Sequence, residues 1–305
     1  MNLRRYRVTY VDTFTREPFT GNPCAVILDG TGLTDDQMQA IAAETNLPES
    51  AFVFPSSQAD FRVRYFTPRS ELPFAGHPTI ATAFTLVQAG VVQPQEPTTT
   101  IDLEFGIGVL PVDIEIEDAR PLRVIMTQRQ PTFGPTFAAD VVAPCLGLRP
   151  QDLRPDCPPQ VVGTGVPFLI VPLREVGLLG EVVMHRNDLG ALCGQAGVSA
   201  AFAFSIGGFD PESDTHARLF DPQGILEDPF TGSATGAMGG YVIHYGLKTG
   251  PRLIAEQGDF IGRPGRGILE IRSDDAGIRS VRLGGAAITV LTGELLIPEG
   301  NDEVR

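Results

Sequence analysis

Short apolar runs bounded by glycine, proline and small polar residues recur along the whole chain, the pattern of many short strands joined by tight turns. They predict strands over residues 7–12, 24–28, 50–54, 61–66, 101–105 and 110–116, then over 122–126, 168–172, 201–205, 217–220, 252–256, 267–272 and 280–284. Helical spacing appears over 34–44, 78–89, 138–146, 186–195 and 234–245. Strands outnumber helices and come in runs, which predicts an α+β fold over a doubly wound parallel sheet. Two helices, 78–89 and 234–245, are apolar or small nearly all round, as a helix enclosed on every side must be. Pro78 suits a first helical position, and Gly90 and Gly246 suit a left-handed stop. Gly236, Gly239 and Gly240 each cost the second helix roughly 1 kcal/mol relative to alanine. That cost is tolerable where a backbone must pack very closely.

Those two helices belong to one motif that occurs twice. R-Y-F-T-P from Arg64 leads to E-L-P-F-A-G-H-P-T-I-A from Glu71, and R-L-F-D-P from Arg218 leads to E-D-P-F-T-G-S-A-T-G-A from Glu227. Glu71/Glu227, Pro73/Pro229, Phe74/Phe230, Gly76/Gly232, Thr79/Thr235 and Ala81/Ala237 coincide without a gap. A repeat half a chain apart predicts two similar half-structures with a site between them. The division is expected near residues 118–121, giving one half of 1–120, joined by a C-terminal strand over about 287–299, and another of 121–286.

The net charge of -14 disfavours nucleic acid and anionic membranes as partners. The N-terminus shows no signal-peptide pattern, and no apolar run reaches the roughly 18–20 residues of a spanning helix, so a cytoplasmic protein is expected. Cys24, Cys145, Cys157 and Cys193 lack paired spacing and read as free buried thiols. His77, His185, His216 and His244 show no ligand spacing, and no metal site is expected.

Three segments could carry chemistry. Gly76-His77 and Gly232-Ser233 directly precede the repeated helices. Free backbone N–H groups and a positive dipole end are available there for a carboxylate or phosphate. The plainer alternative is capping by Thr231 and Ser233 with His77 packed in a turn. The copies differ at Leu72/Asp228 and His77/Ser233, places where one function could divide into two roles. If the segment is extended, Glu227 and Asp228 point opposite ways; otherwise both are solvated. Glu49 enters an apolar strand-like run; desolvation there would raise its pKa toward the range useful for proton transfer, against the reading of a surface-turn acid. Gly232–Gly236 lacks the spacing of a nucleophile elbow, and no phosphate loop or dinucleotide fingerprint is present. The glycine-rich stretch from Gly258 to Gly267 reads as a hairpin loop carrying exposed arginines.

V-D-T-F-T-R-E-P-F-T-G-N-P-C-A-V from Val11, E-T-N-L-P-E-S-A-F-V from Glu44, E-L-P-F-A-G-H-P-T from Glu71, M-T-Q from Met126 and E-D-P-F-T-G-S-A from Glu227 resemble the phenazine-biosynthesis PhzF-like family. The resemblance implies a diaminopimelate-epimerase-like fold of two pseudo-symmetric halves, each wrapping a central helix. It further implies an isomerase needing neither cofactor nor metal, a homodimer, and a small carboxylate substrate. The family's catalytic glutamate falls on Glu49, its histidine on His77, its aspartate on Asp228 and its serine on Ser233. Glu49 would then be the general base and acid, with His77 and Asp228 orienting substrate or relaying protons. Ser233 and the Gly76 and Gly232 amides would grip the carboxylate. Related racemases place cysteines at the positions of Ala75 and Thr231, so a two-thiol mechanism is not expected here. A non-catalytic anion-binding protein, or a lyase or dehydratase using the same carboxylate, are the competing readings.

Overall fold

The computed structural model describes residues 3–274 and 277–298. The chain divides into two units, Met1–Ile125 with Ala286–Arg305, and Met126–Gly285. The first contains β1 (Leu3–Thr13), β2 (Asn22–Ile27), α1 (Asp35–Thr45), β3 (Glu49–Phe54), β4 (Phe61–Phe66), β5 (Glu71–Leu72), α2 (Gly76–Gln88), β6 (Thr98–Phe105) and β7 (Gly108–Glu117). The boundary falls within β8 (Arg120–Gln128). The second unit holds β9 (Thr132–Thr136), α3 (Ala139–Cys145), β10 (Gln160–Gly163), β11 (Pro167–Pro172), α4 (Gly177–Glu181), α5 (Arg186–Ala196) and β12 (Ala201–Ile206). It continues through β13 (Thr215–Phe220), α6 (Gly232–His244), β14 (Arg252–Gln257), β15 (Gly265–Asp274) and β16 (Gly277–Gly285). The expected C-terminal strand is β17 (Ala287–Pro298), which returns to the first unit; residue 299 lies outside the described residues.

Strand pairing follows one rule in both units. In the first, β17–β1 and β1–β2 are antiparallel, β2–β3 parallel, β3–β4 antiparallel, β4–β6 parallel and β6–β7 antiparallel. In the second, β9–β10 and β10–β11 are antiparallel, β11–β12 parallel, β12–β13 antiparallel, β13–β14 parallel and β14–β15 antiparallel. A parallel pair cannot be closed by a tight turn and needs a crossover. Here each crossover contains helix: α1 and α2 in the first unit, α4 with α5 and then α6 in the second. The fold is therefore α+β, a mostly antiparallel sheet in each unit with two parallel pairs.

The second crossover of each unit is the enclosed helix. Every residue of α2 from His77 to Val87 is buried, and the helix packs on β1, β2, β3, β7 and β17. α6 packs likewise on β10, β11, β12, β15 and β16. Such all-round apolar character has no use for a solvent face. Both helices stop as expected, at Gly90 with φ +73° and Gly246 with φ +64°. The N–H of Val91 reaches the Leu86 carbonyl and that of Leu247 the Val242 carbonyl, each at 3.0 Å. Both begin earlier than their pattern implies, at Gly76 and Gly232. Pro78 is consequently the third helical residue, not the first; the first four amides of a helix lack internal partners, so its missing N–H costs nothing there.

The α6 glycines mark close approaches. A Cβ on Gly239 would lie 2.7 Å from Leu269 Cδ1, one on Gly240 2.8 Å from Pro131 Cγ, and one on Gly236 inside the Gln128 amide. The remaining helices build satellite cores, α1 placing Met38, Ile41 and Ala42 against Ala25, Ile27 and Phe52. Around α3 and α5, Val142, Leu189 and Leu192 meet Leu169, Val171 and Ala201. Strands β5, β9 and β10 and the one-turn α4 lacked a sequence signal. β5 is two residues long, and β9 contains Gly134 and Pro135, residues depleted from strands.

Gly106 and Gly258 are backbone contacts to the motif proline of their own copy. A Cβ on Gly106 would sit 3.1 Å from Pro73 Cα; one on Gly258 would sit 2.8 Å from Pro229 O and against Arg263 O. Gly258 also has φ +95°, whereas Gly90 shares the positive φ with open space around it. Gly90→Ala is expected to destabilise by about 1 kcal/mol through the left-handed backbone alone. Gly258→Ala should cost at least about twice that, because backbone oxygens cannot move aside. Urea melts of the two variants check the order.

Candidate functional site

The repeated motif is built the same way in both units. Arg64 Nε and Nη2 donate to the two Glu71 carboxylate oxygens, each at 2.7 Å. Arg218 Nε and Nη2 donate to Glu227 at 2.9 and 2.6 Å. Each guanidinium also lies over the phenylalanine two residues on, 5.2 Å from the Phe66 ring centre and 5.0 Å from that of Phe220. Thr79 Oγ1 donates to the Ala75 carbonyl at 2.7 Å and Thr235 Oγ1 to the Thr231 carbonyl at 2.9 Å. The shared residues thus form a bidentate clamp and a first-turn bond that fix how the chain enters the helix. Glu227 is held by Arg218, whereas Asp228 stands where the first copy has Leu72.

In the first unit the clamp delivers His77 to the start of α2, and the first residue of β3 is Glu49. The two side chains meet: His77 Nε2 is 3.0 Å from Glu49 Oε2, with side-chain exposures of 6 % and 18 %. Glu49 is drier than a surface-turn acid. On the other edge of the ring, His77 Nδ1 is 3.2 Å from Asn22 Nδ2, and Asn22 is buried. Cys24 is the register partner of Glu49 across the parallel pair. Burial first, then the Glu49 charge, pushes its thiol well above the ordinary value. The N-cap of α2 is Ala75, so no side chain caps the Gly76 end of the helix.

In the second unit the N-cap of α6 is Thr231, yet it makes no side-chain cap bond. Its hydroxyl donates instead to Asp228 Oδ2 at 2.7 Å. Its N–H donates to Gln257 Oε1 at 2.9 Å, and Gln257 Nε2 returns a bond to the Asp228 carbonyl at 2.7 Å. Capping by Thr231 is therefore not what the structure shows. Gly232 is buried and Ser233 half-buried at the first two helical positions. Gln128 Nε2 donates to the Gly232 carbonyl at 2.9 Å, while Thr164 Oγ1 donates to Gln128 Oε1 at 2.5 Å. Gly236 is the glycine that leaves room for that amide.

Residues 11–293 match the family model described as phenazine biosynthesis-like protein. The chain belongs to this family. An uncharacterized isomerase of Clostridium acetobutylicum is 34 % identical to it over 305 residues, covering 97 % of this chain and 99 % of the relative. The trans-2,3-dihydro-3-hydroxyanthranilate isomerase of Pseudomonas aeruginosa is 33 % identical over 277 residues, covering 90 % and 92 %. A PhzF-family phenazine biosynthesis protein of Bacillus anthracis superposes with a TM-score of 0.87 at 29 % identity, over 96 % of this chain and all of that one. This family member is accordingly an isomerase-type enzyme with the diaminopimelate-epimerase-like fold.

Sequence reading missed three features of this family member. Asn22 and Gln128 lie in motifs that were visible, but their partners, His77 and Gly232, are 55 and 104 residues away. Spacing could not reveal such pairs. The third is a buried polar cluster. His216 Nδ1 is 3.1 Å from Glu256 and 3.7 Å from Asp259, and these three groups could in principle ligate an ion. Arg266 already supplies the cation, 3.2 Å from Glu256 and 3.1 Å from Asp259, and the Phe209 and Asp210 amides donate to Glu256 at 2.8 Å. Burial holds the His216 imidazole below its ordinary value against the pull of both carboxylates. Arg266 is thus paired, correcting the expectation of a loop of exposed arginines. No described helix is long and apolar enough to cross a membrane.

Arg218 and Glu227 are each 15 % exposed, while Glu71 is 42 % exposed. A lysine keeps the charge but loses the two-pronged fork. Arg218→Lys is expected to destabilise by about 1–3 kcal/mol and Arg64→Lys by less. Thermal unfolding of both variants measures the difference.

Proposed function

We propose that this enzyme moves a proton on a small carboxylate-bearing metabolite, with Glu49 as general base and acid. The observation that supports this most is the 3.0 Å contact between Glu49 and the nearly inaccessible His77. A carboxyl and an imidazole held together out of bulk water form a proton-transfer pair. His77 orients the Glu49 carboxyl and relays protons. The uncapped Gly76 end of α2 offers backbone N–H groups to an anion. Asp228, Gly232 and Ser233 are assigned to substrate on the strength of the repeated motif, Asp228 with a catalytic part and the other two in carboxylate binding. Proton transfer by a carboxyl calls for no cofactor and no metal. The P. aeruginosa relative is named for trans-2,3-dihydro-3-hydroxyanthranilate, which is the first compound to try.

A single acid/base suits an intramolecular proton shift better than racemisation by two opposed thiols. Ala75 and Thr231 occupy the two helix N-caps, and the four cysteines are buried elsewhere. The register supports one-sidedness further. Ser50 pairs with Phe66 as Ala201 pairs with Phe220, so the second-unit counterpart of Glu49 is Ala200, which carries no acid.

Turnover of trans-2,3-dihydro-3-hydroxyanthranilate, and of a panel of small unsaturated carboxylates, in heavy water followed by proton NMR tests the proposal. The native enzyme is expected to isomerise one of them. Glu49→Gln should slow that reaction on the order of 10²–10⁴-fold; an unchanged rate removes Glu49 from its role. We also propose a cytoplasmic homodimer. Sedimentation equilibrium should give twice the chain mass of 32.7 kDa, and a monomer mass at micromolar concentration refutes it.

A further inference from the structure

The segment that begins at Val11 leads to Asn22, a residue that the proposed chemistry leaves without a part. Asn22 Nδ2 faces His77 Nδ1 at 3.2 Å, and the opposite ring nitrogen faces Glu49 at 3.0 Å. An amide NH₂ only donates, so with this amide orientation Nδ1 is the acceptor, which sets the proton of a neutral ring on Nε2. The opposite tautomer would set N–H against NH₂ and a lone pair against a carboxylate. Building on the reading of Glu49 as the acid/base, we propose that Asn22 is a positioning residue that locks His77 in the Nε2–H tautomer. The Nε2–H is then turned toward the Glu49 carboxylate 3.0 Å away and aims it.

The preceding loop is built to hold Asn22 still. Thr13 Oγ1 donates to the Asn22 carbonyl at 2.9 Å, and Asp12 Oδ2 accepts from the Phe19 N–H at 2.6 Å. Phe14 and Phe19 adopt φ of +59° and +69°, left-handed conformations that a bulky side chain enters only under constraint. Gly21, at φ +61°, has no room for a Cβ beside the Thr13 carbonyl. Strain of this kind persists where surrounding structure over-determines a position.

Comparison of the units carries the argument independently. Ala25 pairs with Ser50, and Leu169 with Ala201; the counterpart of Asn22 is therefore Val166. His77 corresponds to Ser233 and Glu49 to Ala200. The three residues that touch in the first unit are thus all replaced together in the second, while the Arg–Glu clamp and the threonine bond are retained in both. Asn22, His77 and Glu49 behave as one device.

Two-bond proton–nitrogen spectra of the full-length ¹⁵N-labelled protein at pH 8, with His77→Gln to assign the ring, test this directly. The wild-type ring is expected to show Nε2 protonated and Nδ1 bare. Asn22→Asp sets a carboxylate against Nδ1, which should then read as protonated. In that variant kcat for the carboxylate found to turn over is expected to fall on the order of 100-fold with KM within about threefold. A wild-type ring protonated on Nδ1, or a folded Asn22→Asp protein with Nδ1 still bare, overturns the proposal. The wild-type spectrum decides alone if the variant does not fold. Glu49→Gln separates the two readings: failure of the Glu49 role appears in its turnover, failure of the Asn22 role in the ring spectrum.

Discussion

Taking an imidazole and a carboxyl out of water together is costly unless each finds a partner, and the first unit is organised around meeting that cost. His77 cannot reach Glu49 unless α2 begins at Gly76, and α2 begins there because Arg64 clamps Glu71 just ahead of it. Glu49 cannot reach His77 unless β3 lies parallel to β2, which forces α1 to carry the chain back. One contact of 3.0 Å thus draws on two crossovers and a strained loop.

The duplication separates scaffold from chemistry. Several residues common to both copies are structural: the Arg–Glu fork, the threonine back-bond, and the glycine that lets a neighbouring strand pass the motif proline. Where the copies diverge, Asn22, Glu49 and His77 of the first unit give way to Val166, Ala200 and Ser233 of the second, whereas at Leu72/Asp228 the acid is in the second. Glu227 illustrates the point. It resembles a functional acid in sequence, yet its charge is spent on Arg218; the unshared Asp228 beside it is the residue that reaches the helix entrance through Thr231.

Much of this was legible beforehand. Enclosed helices, their glycine stops and the α+β class follow from side-chain character over a few residues, and Glu49 and His77 stood out through the family motifs. Partnerships that depend on topology did not. Asn22 meets His77 only because β2 flanks α2, and Gln128 meets Gly232 only because a glycine one turn into α6 leaves a gap for its amide. The His216 cluster joins two strands paired in parallel, with Glu256 directly opposite His216, a register no spacing rule contains. Local periodicity is written in neighbouring residues; register is written in the fold.

That distinction bears on the proposed reaction. A racemase must take a proton from one face of a carbon and return one to the other, which requires two comparable acid/base groups. This chain repeats its helix entrance faithfully but does not repeat its acid: Ala200, in the position equivalent to Glu49, is 2 % exposed and apolar. No compensating thiol stands at either N-cap. With Glu49 as the proposed acid/base and no acid at its second-unit counterpart, the proton it removes is the proton it would return, so the proposed chemistry is a shift along a conjugated substrate from a single side. The symmetry of the scaffold supplies two similar helix ends, and in the proposed chemistry its breach at Glu49, His77 and Asn22 supplies direction.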